Sequence, residues 1–239
     1  MKILTLAAVA VATLAVAAPA RAQTLAWADA FGGTKVNTHT WSVYSSGKGN
    51  DELATCKTSN VKLNGKGQLV ITARKSGGSY TSGQLDSKLT SACGTLEARI
   101  KLPAGKGLWP AFWAVGGDYD SVGWPACGEL DAMENLGNAH MIYGSVHAPG
   151  YDHTKAKKSA ANLAAGYHIY GVTWTPTIVR ITLDGKVYAT YMPNMATIFG
   201  KRFQVKLNLA VGGSWPGNPD SHTRFPASMV VDWVRAYKS

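Results

Sequence analysis

The sequence predicts an all-β sandwich of two large antiparallel sheets packed face to face, and three observations lead there. Short runs of alternating apolar and polar residues recur along the chain, the pattern of strands with one buried face. Twenty-six glycines and ten prolines separate those runs, as turns require. Eight tryptophans and ten tyrosines supply the bulky groups that pleated surfaces favour. No linker-like stretch, low-complexity block or internal repeat divides the chain, so one domain is expected over residues 23–239.

Residues 1–22 read as a signal peptide. Lys2 precedes an apolar run from Ile3 to Ala18, and Ala20-Arg21-Ala22 forms a small-residue cleavage site. The protein is therefore expected to be secreted, extracellular or periplasmic, after cleavage near Ala22. Gln68 to Arg74 is the first strand expected in this reading. Thr95 to Leu102 is the clearest, with Leu96, Ala98, Ile100 and Leu102 apolar against Thr95, Glu97, Arg99 and Lys101. His140 to His147 and Tyr167 to Trp174 follow, and Ser159 to Ala165 between them is the only stretch expected to be helical. Asp184-Gly185 joins Ile178–Leu183 to Val187–Tyr191 as a tight hairpin. Gln204 to Val211 alternates, placing Val205, Leu207, Leu209 and Val211 on one face, and Met229 to Tyr237 completes the set. A curved sheet leaves a concave face, and a long groove there suits a polymer better than a monosaccharide.

Glu129-Leu130-Asp131-Ala132-Met133-Glu134 departs from that aliphatic pattern by packing three carboxylates into six residues. Alternation puts Glu129 and Asp131 on one face and Glu134 on the other. A β-bulge absorbing one residue, for which Met133 is the natural candidate, brings all three to the same side. The outer two Cα atoms then lie ~13 Å apart at ~3.3 Å per counted residue. Side chains leaning inward reach the ~5 to 6 Å carboxyl separation that suits a nucleophile and an acid flanking one glycosidic bond. Acidic clusters are also found as solvated surface or as cation ligands. The apolar neighbours Leu130, Ala132 and Met133, and the aromatic run Gly107-Leu108-Trp109-Pro110-Ala111-Phe112-Trp113, favour catalysis on a sugar.

The formal charge of +10 includes Lys2 and Arg21, which leaves +8 without the leader. Scattered Lys and Arg in an exported chain argue against nucleic acid. They fit solubility and attraction to anionic cell walls, with a groove for sulfated or carboxylated glycans as the alternative. Three cysteines in such a chain permit one disulfide and one leftover thiol. Cys56 with Cys93 is the expected pair, and Cys127 is expected as a buried free thiol.

These residues resemble family 16 glycoside hydrolases, in the branch containing laminarinases (endo-β-1,3-glucanases). The likeness rests on Gly128 to Glu134, Gly107 to Trp113 and Val146-His147. It extends through Trp27 to Phe31, Gly49 to Glu52, Leu69 to Arg74, Tyr80 to Gly83, Leu96 to Ile100, Leu207 to Gly213, Trp215 to Gly217 and Val231 to Arg235. The resemblance implies a concanavalin A-like β-jelly-roll and hydrolysis with retention. It makes Glu129 the nucleophile, Glu134 the general acid/base and Asp131 the assisting carboxylate. The extra residue Met133 fits this branch; the branch of Bacillus-type lichenases and xyloglucan-modifying enzymes lacks it.

The resemblance implies substrate contacts at Asn50, Arg74, Trp109, Trp113 and His147, with core, capping or surface roles as the alternative, and Trp124 and Trp215 join the candidates. Trp124 and Trp215 lie in Gly/Pro-rich loops, where a large aromatic either packs under the loop or meets a ligand; Trp215 is read as a contact and Trp124 as either. Asp232 matches a carboxylate that helps hold a structural calcium, although Ala30 stands where relatives often carry an acid near that end. No cofactor is expected for catalysis. The expected partner is a β-glucan polysaccharide, with no nucleic acid, no membrane and a monomeric state. Mixed-linkage β-1,3-1,4-glucanase, an agarase- or carrageenase-type galactan hydrolase, a transglycosylase and a non-catalytic glucan-binding lectin are the alternatives. Lectins on this fold typically lose the acids that are present here.

Overall fold

The computed structural model describes residues 23–45, 47, 51–92, 94–198 and 200–238. The leader expected over 1–22, Asn50 and Cys93 lie outside them. The strands are β1 (Thr24–Asp29), β2 (Trp41–Tyr44), β3 (Ala54–Cys56), β4 (Val61–Leu63), β5 (Leu69–Ser76), β6 (Ser79–Ser91), β7 (Gly94–Lys101) and β8 (Leu108–Gly116). They continue as β9 (Glu129–Glu134), β10 (Met141–Ala148), β11 (Tyr151–Lys158), β12 (His168–Trp174), β13 (Val179–Leu183), β14 (Lys186–Tyr191), β15 (Phe203–Val211) and β16 (Ala227–Lys238).

Hydrogen bonding links them in the order β11-β10-β9-β8-β15-β6-β5-β16-β7-β12-β13-β14, with β1 beside β16, β2 and β3 beside β6, and β4 beside β5. The β5–β6 hairpin is the crossing point. One arm of the chain leads from β6 to β11, the other from β5 to β14, and the two arms face each other across the core. All pairings are antiparallel except β3 with β6. Alternation explains the core: Leu96, Ala98 and Ile100 of β7 and Val205, Leu207 and Leu209 of β15 are buried, while the residues between them are partly exposed. Each large aliphatic side chain so buried contributes about 1.5 to 3 kcal/mol.

The β13–β14 turn forms as expected, with Asp184 (φ 49°) and Gly185 (φ 73°) both left-handed, the pair of conformations a two-residue type I′ turn needs. Ser159 to Ala165 is not helical. Leu163 is buried, its N–H donates to Ala139 O and its carbonyl accepts from Leu102 N. Those long-range bonds, together with local ones to Asn162, take the place of a helical ladder, so tertiary packing overrides alanine's helix propensity. Cys56 is a free thiol, as is buried Cys127, which corrects the expected Cys56–Cys93 bridge. Cys56 pairs in register with Ser82, near the start of β6.

The bulge is present in β9. Against β8, Asp131 pairs with Trp113, Met133 with Phe112 and Glu134 with Ala111. Ala132 is thus the residue left over, whereas Met133, the expected extra residue, keeps a partner. Against β10, Asp131 pairs with Ser145 and Glu134 with Tyr143, so Ala132 and Met133 together oppose Gly144. Both are fully buried. Two side chains therefore enter the core where a regular strand would send one, and the residue across from them has none. A Cβ built on Gly144 would lie 2.6 Å from Tyr188 Oη and 2.8 Å from Ile181 Cγ2.

Gly144→Ala should therefore destabilise the fold by about 1 to 3 kcal/mol through overpacking. Urea denaturation would read this as a lower midpoint at unchanged slope; an unaltered midpoint would contradict the crowding described.

Candidate active site

Glu129, Asp131 and Glu134 project from the face of β9 turned away from the core, and the neighbouring strands meet them there. Trp109 Nε1 of β8 donates to Glu134 Oε1 at 3.0 Å, and Ser145 of β10 reaches Glu134 Oε2 at 3.5 Å. Ser145 also shares a 2.9 Å hydrogen bond with Thr154 of β11. His147 Nε2 stands 3.2 Å from Asp131 Oδ2 and 3.9 Å from Glu129 Oε1. The contact with Asp131 lacks hydrogen-bond alignment, so Oδ2, although buried, has no hydrogen-bond partner. On its other side, His147 Nδ1 lies 2.8 Å from Asp152 Oδ1 of β11. An ionised carboxylate only accepts, so Nδ1 carries the hydrogen and, in the neutral ring, Nε2 presents its lone pair to Asp131 and Glu129.

Burial dominates the electrostatics. It pushes Glu129 up to about 8, with the charge of Asp131 adding to the shift and His147 opposing it. Glu134 is pushed up to about 7, again by burial first; the Trp109 N–H opposes the shift and the charge of Glu129 adds to it. Asp131 rises well above the usual carboxylate range through burial and the charge of Glu134. Three carboxyls so placed do not all ionise near neutrality, and they hold protons in common. Glu129 and Asp131 stand close enough to share one of those protons.

Aromatic groups stand at both ends of β9. At the Glu129 end, Trp124 in the β8–β9 connection is 53% exposed, lies 5.9 Å from the His147 ring, and its N–H opposes the rise of Glu129. At the Glu134 end, Trp215 is 42% exposed and packs edge-on against Trp109 at 5.6 Å and Tyr143 at 5.0 Å. The passage between these two posts runs across the strands. It leads over Trp113, whose Nε1 donates to Asn208 Oδ1 at 2.8 Å and whose ring lies 5.6 Å from Lys206 Nζ. Beyond it Lys206 pairs with Asp86 at 2.9 Å, and Gln84 donates to Asp86 at 2.8 Å.

The structure thus gathers Glu129, Asp131, Glu134, Trp109, Trp113, Trp124, His147 and Trp215 on one face. Arg74 does not join them: it is exposed opposite Thr81 in the β5–β6 hairpin, roughly four strand spacings from β9, on the order of 19 Å. Asp232 sits at a bulge of β16 between Val231 and Trp233, and its Oδ2 pairs with Arg99 at 2.6 Å. That guanidinium occupies the place a cation would take, so calcium does not fit the carboxylate as arranged. Nor does Asp29 offer free oxygens, since one accepts from Phe31 N and the other from Trp41 Nε1. Ser145, Asp152, Asn208, Lys206 and Asp86 were missed in the sequence. Parity with His147 was the only available signal, and it marks Ser145 and Tyr143 alone.

Residues 48–235 match the glycosyl hydrolases family 16 profile. The beta-glucanase of Rhodothermus marinus is 33% identical over 221 residues, spanning 80% of this chain and 76% of that protein. The clotting factor G alpha subunit of Tachypleus tridentatus is 33% identical over 204 residues, which make up 80% of this chain but 30% of that protein. The crystal structure of endo-beta-1,3-glucanase from Pyrococcus furiosus superposes with a TM-score of 0.84 at 39% identity, covering 90% of this chain and 94% of that one. With the profile matched over most of its length, and a bulged strand setting three acids beside a tryptophan-lined passage, the chain belongs to glycosyl hydrolase family 16.

Proposed function

We propose that this protein is a secreted, retaining endo-β-1,3-glucanase. The observation that carries the reading is the bulge at Ala132–Met133, which brings Glu129 and Glu134 to one face, close enough for the charge of Glu129 to raise Glu134. Two carboxyls near one bond divide the labour of double displacement. In that division Glu129 has to give up its proton before it attacks the anomeric carbon, and Glu134 has to hold one for the departing oxygen. Water then hydrolyses the glycosyl-enzyme, with Glu134 now acting as base. Asp131, beside Glu129, takes up the proton that Glu129 gives up, which leaves Glu129 ionised as the nucleophile. The neutral His147 lone pair faces Asp131 and is compatible with that proton.

The passage crosses the strands between Trp124 and Trp215, and the protein relatives named for β-glucan cleavage support a chain of neutral glucose units as its occupant. Lys206, the cation over Trp113, is neutralised by Asp86, which speaks for neutral glycan over sulfated glycan on that side. The apolar leader supports export, and the basic surface supports retention near anionic walls.

Purified mature protein should release oligosaccharides from laminarin in preference to lichenan, agarose and carrageenan, read by product chromatography. Cleavage of agarose or carrageenan alone would defeat the reading. Glu129→Gln and Glu134→Gln should each lower kcat by several orders of magnitude while glucan binding and the circular dichroism spectrum persist. Near-normal turnover in either would remove that residue from its role.

Burial of Glu134 also has a pH signature. Its folded-state value is raised from 4.5 to about 7, so the charged form costs stability; the cost is absent below pH 4.5, grows as pH rises, and levels off above about 7. Glu134→Gln removes it. The variant should gain stability over the parent at pH 8 by more than at pH 4.5, measured by denaturation midpoints; an equal difference at both would exclude that cost.

A further inference from the structure

Glu129 Oε1, Asp131 Oδ2 and His147 Nε2 belong to a group whose ligand atoms all lie within 4.8 Å of one another. We infer that they form a binding site for a single borderline divalent metal ion of the Zn2+ type, and that the ion, when bound, blocks the sugar-cleaving centre by capping Glu129. Four features support it. Ligands held at ~2.0 to 2.2 Å around tetrahedral zinc stand about 3.3 Å apart, and the separations to His147 Nε2 are 3.2 and 3.9 Å. Small side-chain shifts close the set. Asp131 Oδ2 is fully buried, aims into the group and has no hydrogen-bond partner, leaving an acceptor that an ion satisfies.

The imidazole is prepared for the same role. Its Nδ1 is held by Asp152 Oδ1 at 2.8 Å, the carboxylate–histidine arrangement that orients metal-binding rings and raises their basicity. Nε2 therefore points a lone pair at the two carboxylates. Finally, no Lys or Arg among the described residues forms an ion pair with Glu129, Asp131 or Glu134. Buried acids without a counter-charge are costly, and a divalent ion supplies one. One nitrogen and two oxygens suit Zn2+ or Cu2+; Ca2+ and Mg2+ prefer six or more oxygens, which this pocket does not offer. Three protein ligands leave a fourth position for water, and an ion held by Glu129 sits where a sugar would be attacked.

The inhibitory half of this inference rests on the glucanase reading, and the binding half does not. Chelator-treated mature protein titrated with Zn2+ in a calorimeter should take up one ion per chain in a saturable step, while Ca2+ at the same concentration gives none. Glu129→Gln and His147→Ala should each weaken uptake at least about tenfold, and Asp152→Asn about 10- to 100-fold, with folding checked by circular dichroism. Glu129→Gln is nearly isosteric and keeps the test valid if His147→Ala fails to fold. Zn2+ should also stop laminarin hydrolysis by the parent, with recovery on adding chelator. No saturable uptake up to millimolar Zn2+, or uptake unchanged in both Glu129→Gln and His147→Ala, would overturn the site. Because heat is measured without turnover, that failure leaves the hydrolase reading standing, and a protein inert on every glucan still reports on the metal.

Discussion

One unpaired residue, Ala132, governs the rest of the site. A strand in strict alternation cannot show Glu129, Asp131 and Glu134 to the same side. The local excess of one residue in β9 does so, and its packing consequence is met across the ladder by Gly144. The same displacement brings Glu134 beside the Trp109 N–H and Ser145, while Glu129 stays with His147 and Trp124. The two acids thus sit in chemically different surroundings although six residues of one strand supply both.

Burial then converts placement into reactivity. Each carboxyl is raised above its ordinary range mainly because the charged form has lost water. Protons retained near neutrality are what a glycosidic acid requires, and the fold tolerates the cost because the surrounding sandwich is thoroughly packed. The partners that moderate the shift come from three strands: Trp109 from β8, Ser145 and His147 from β10, and Asp152, through His147, from β11.

Much of this was legible in the chain because it depends on local pattern. The alternation of β7 and β15, the Asp184-Gly185 turn and the carboxylate cluster need only period-two reasoning and turn chemistry. β11 escaped notice because Tyr151 to Lys158 is an exposed edge strand with no buried face to leave an apolar signature. Yet it supplies Asp152 and Thr154. The Lys206–Asp86 pair and the Trp113–Asn208 bond depend on cross-strand register between segments more than 90 residues apart in sequence, which no local pattern encodes. The helix expected over Ser159 to Ala165 failed for a related reason, since Leu163 is claimed by the core. The cysteine pairing failed because nothing local in the sequence distinguishes the free thiol of Cys56 from half of a bridge.

β16, the last strand in sequence, lies at the middle of its sheet and not at an edge, flanked by β7 on one side and by β5 and β1 on the other. Until residues 227–238 arrive, β1 has no partner at all, β5 and β7 each lack a neighbour, and the seam of the sandwich stays open. The amino-terminal part alone therefore cannot lock into the final shape. The order of the strands itself makes residues 227–238 the closing piece, on which both halves of that sheet wait.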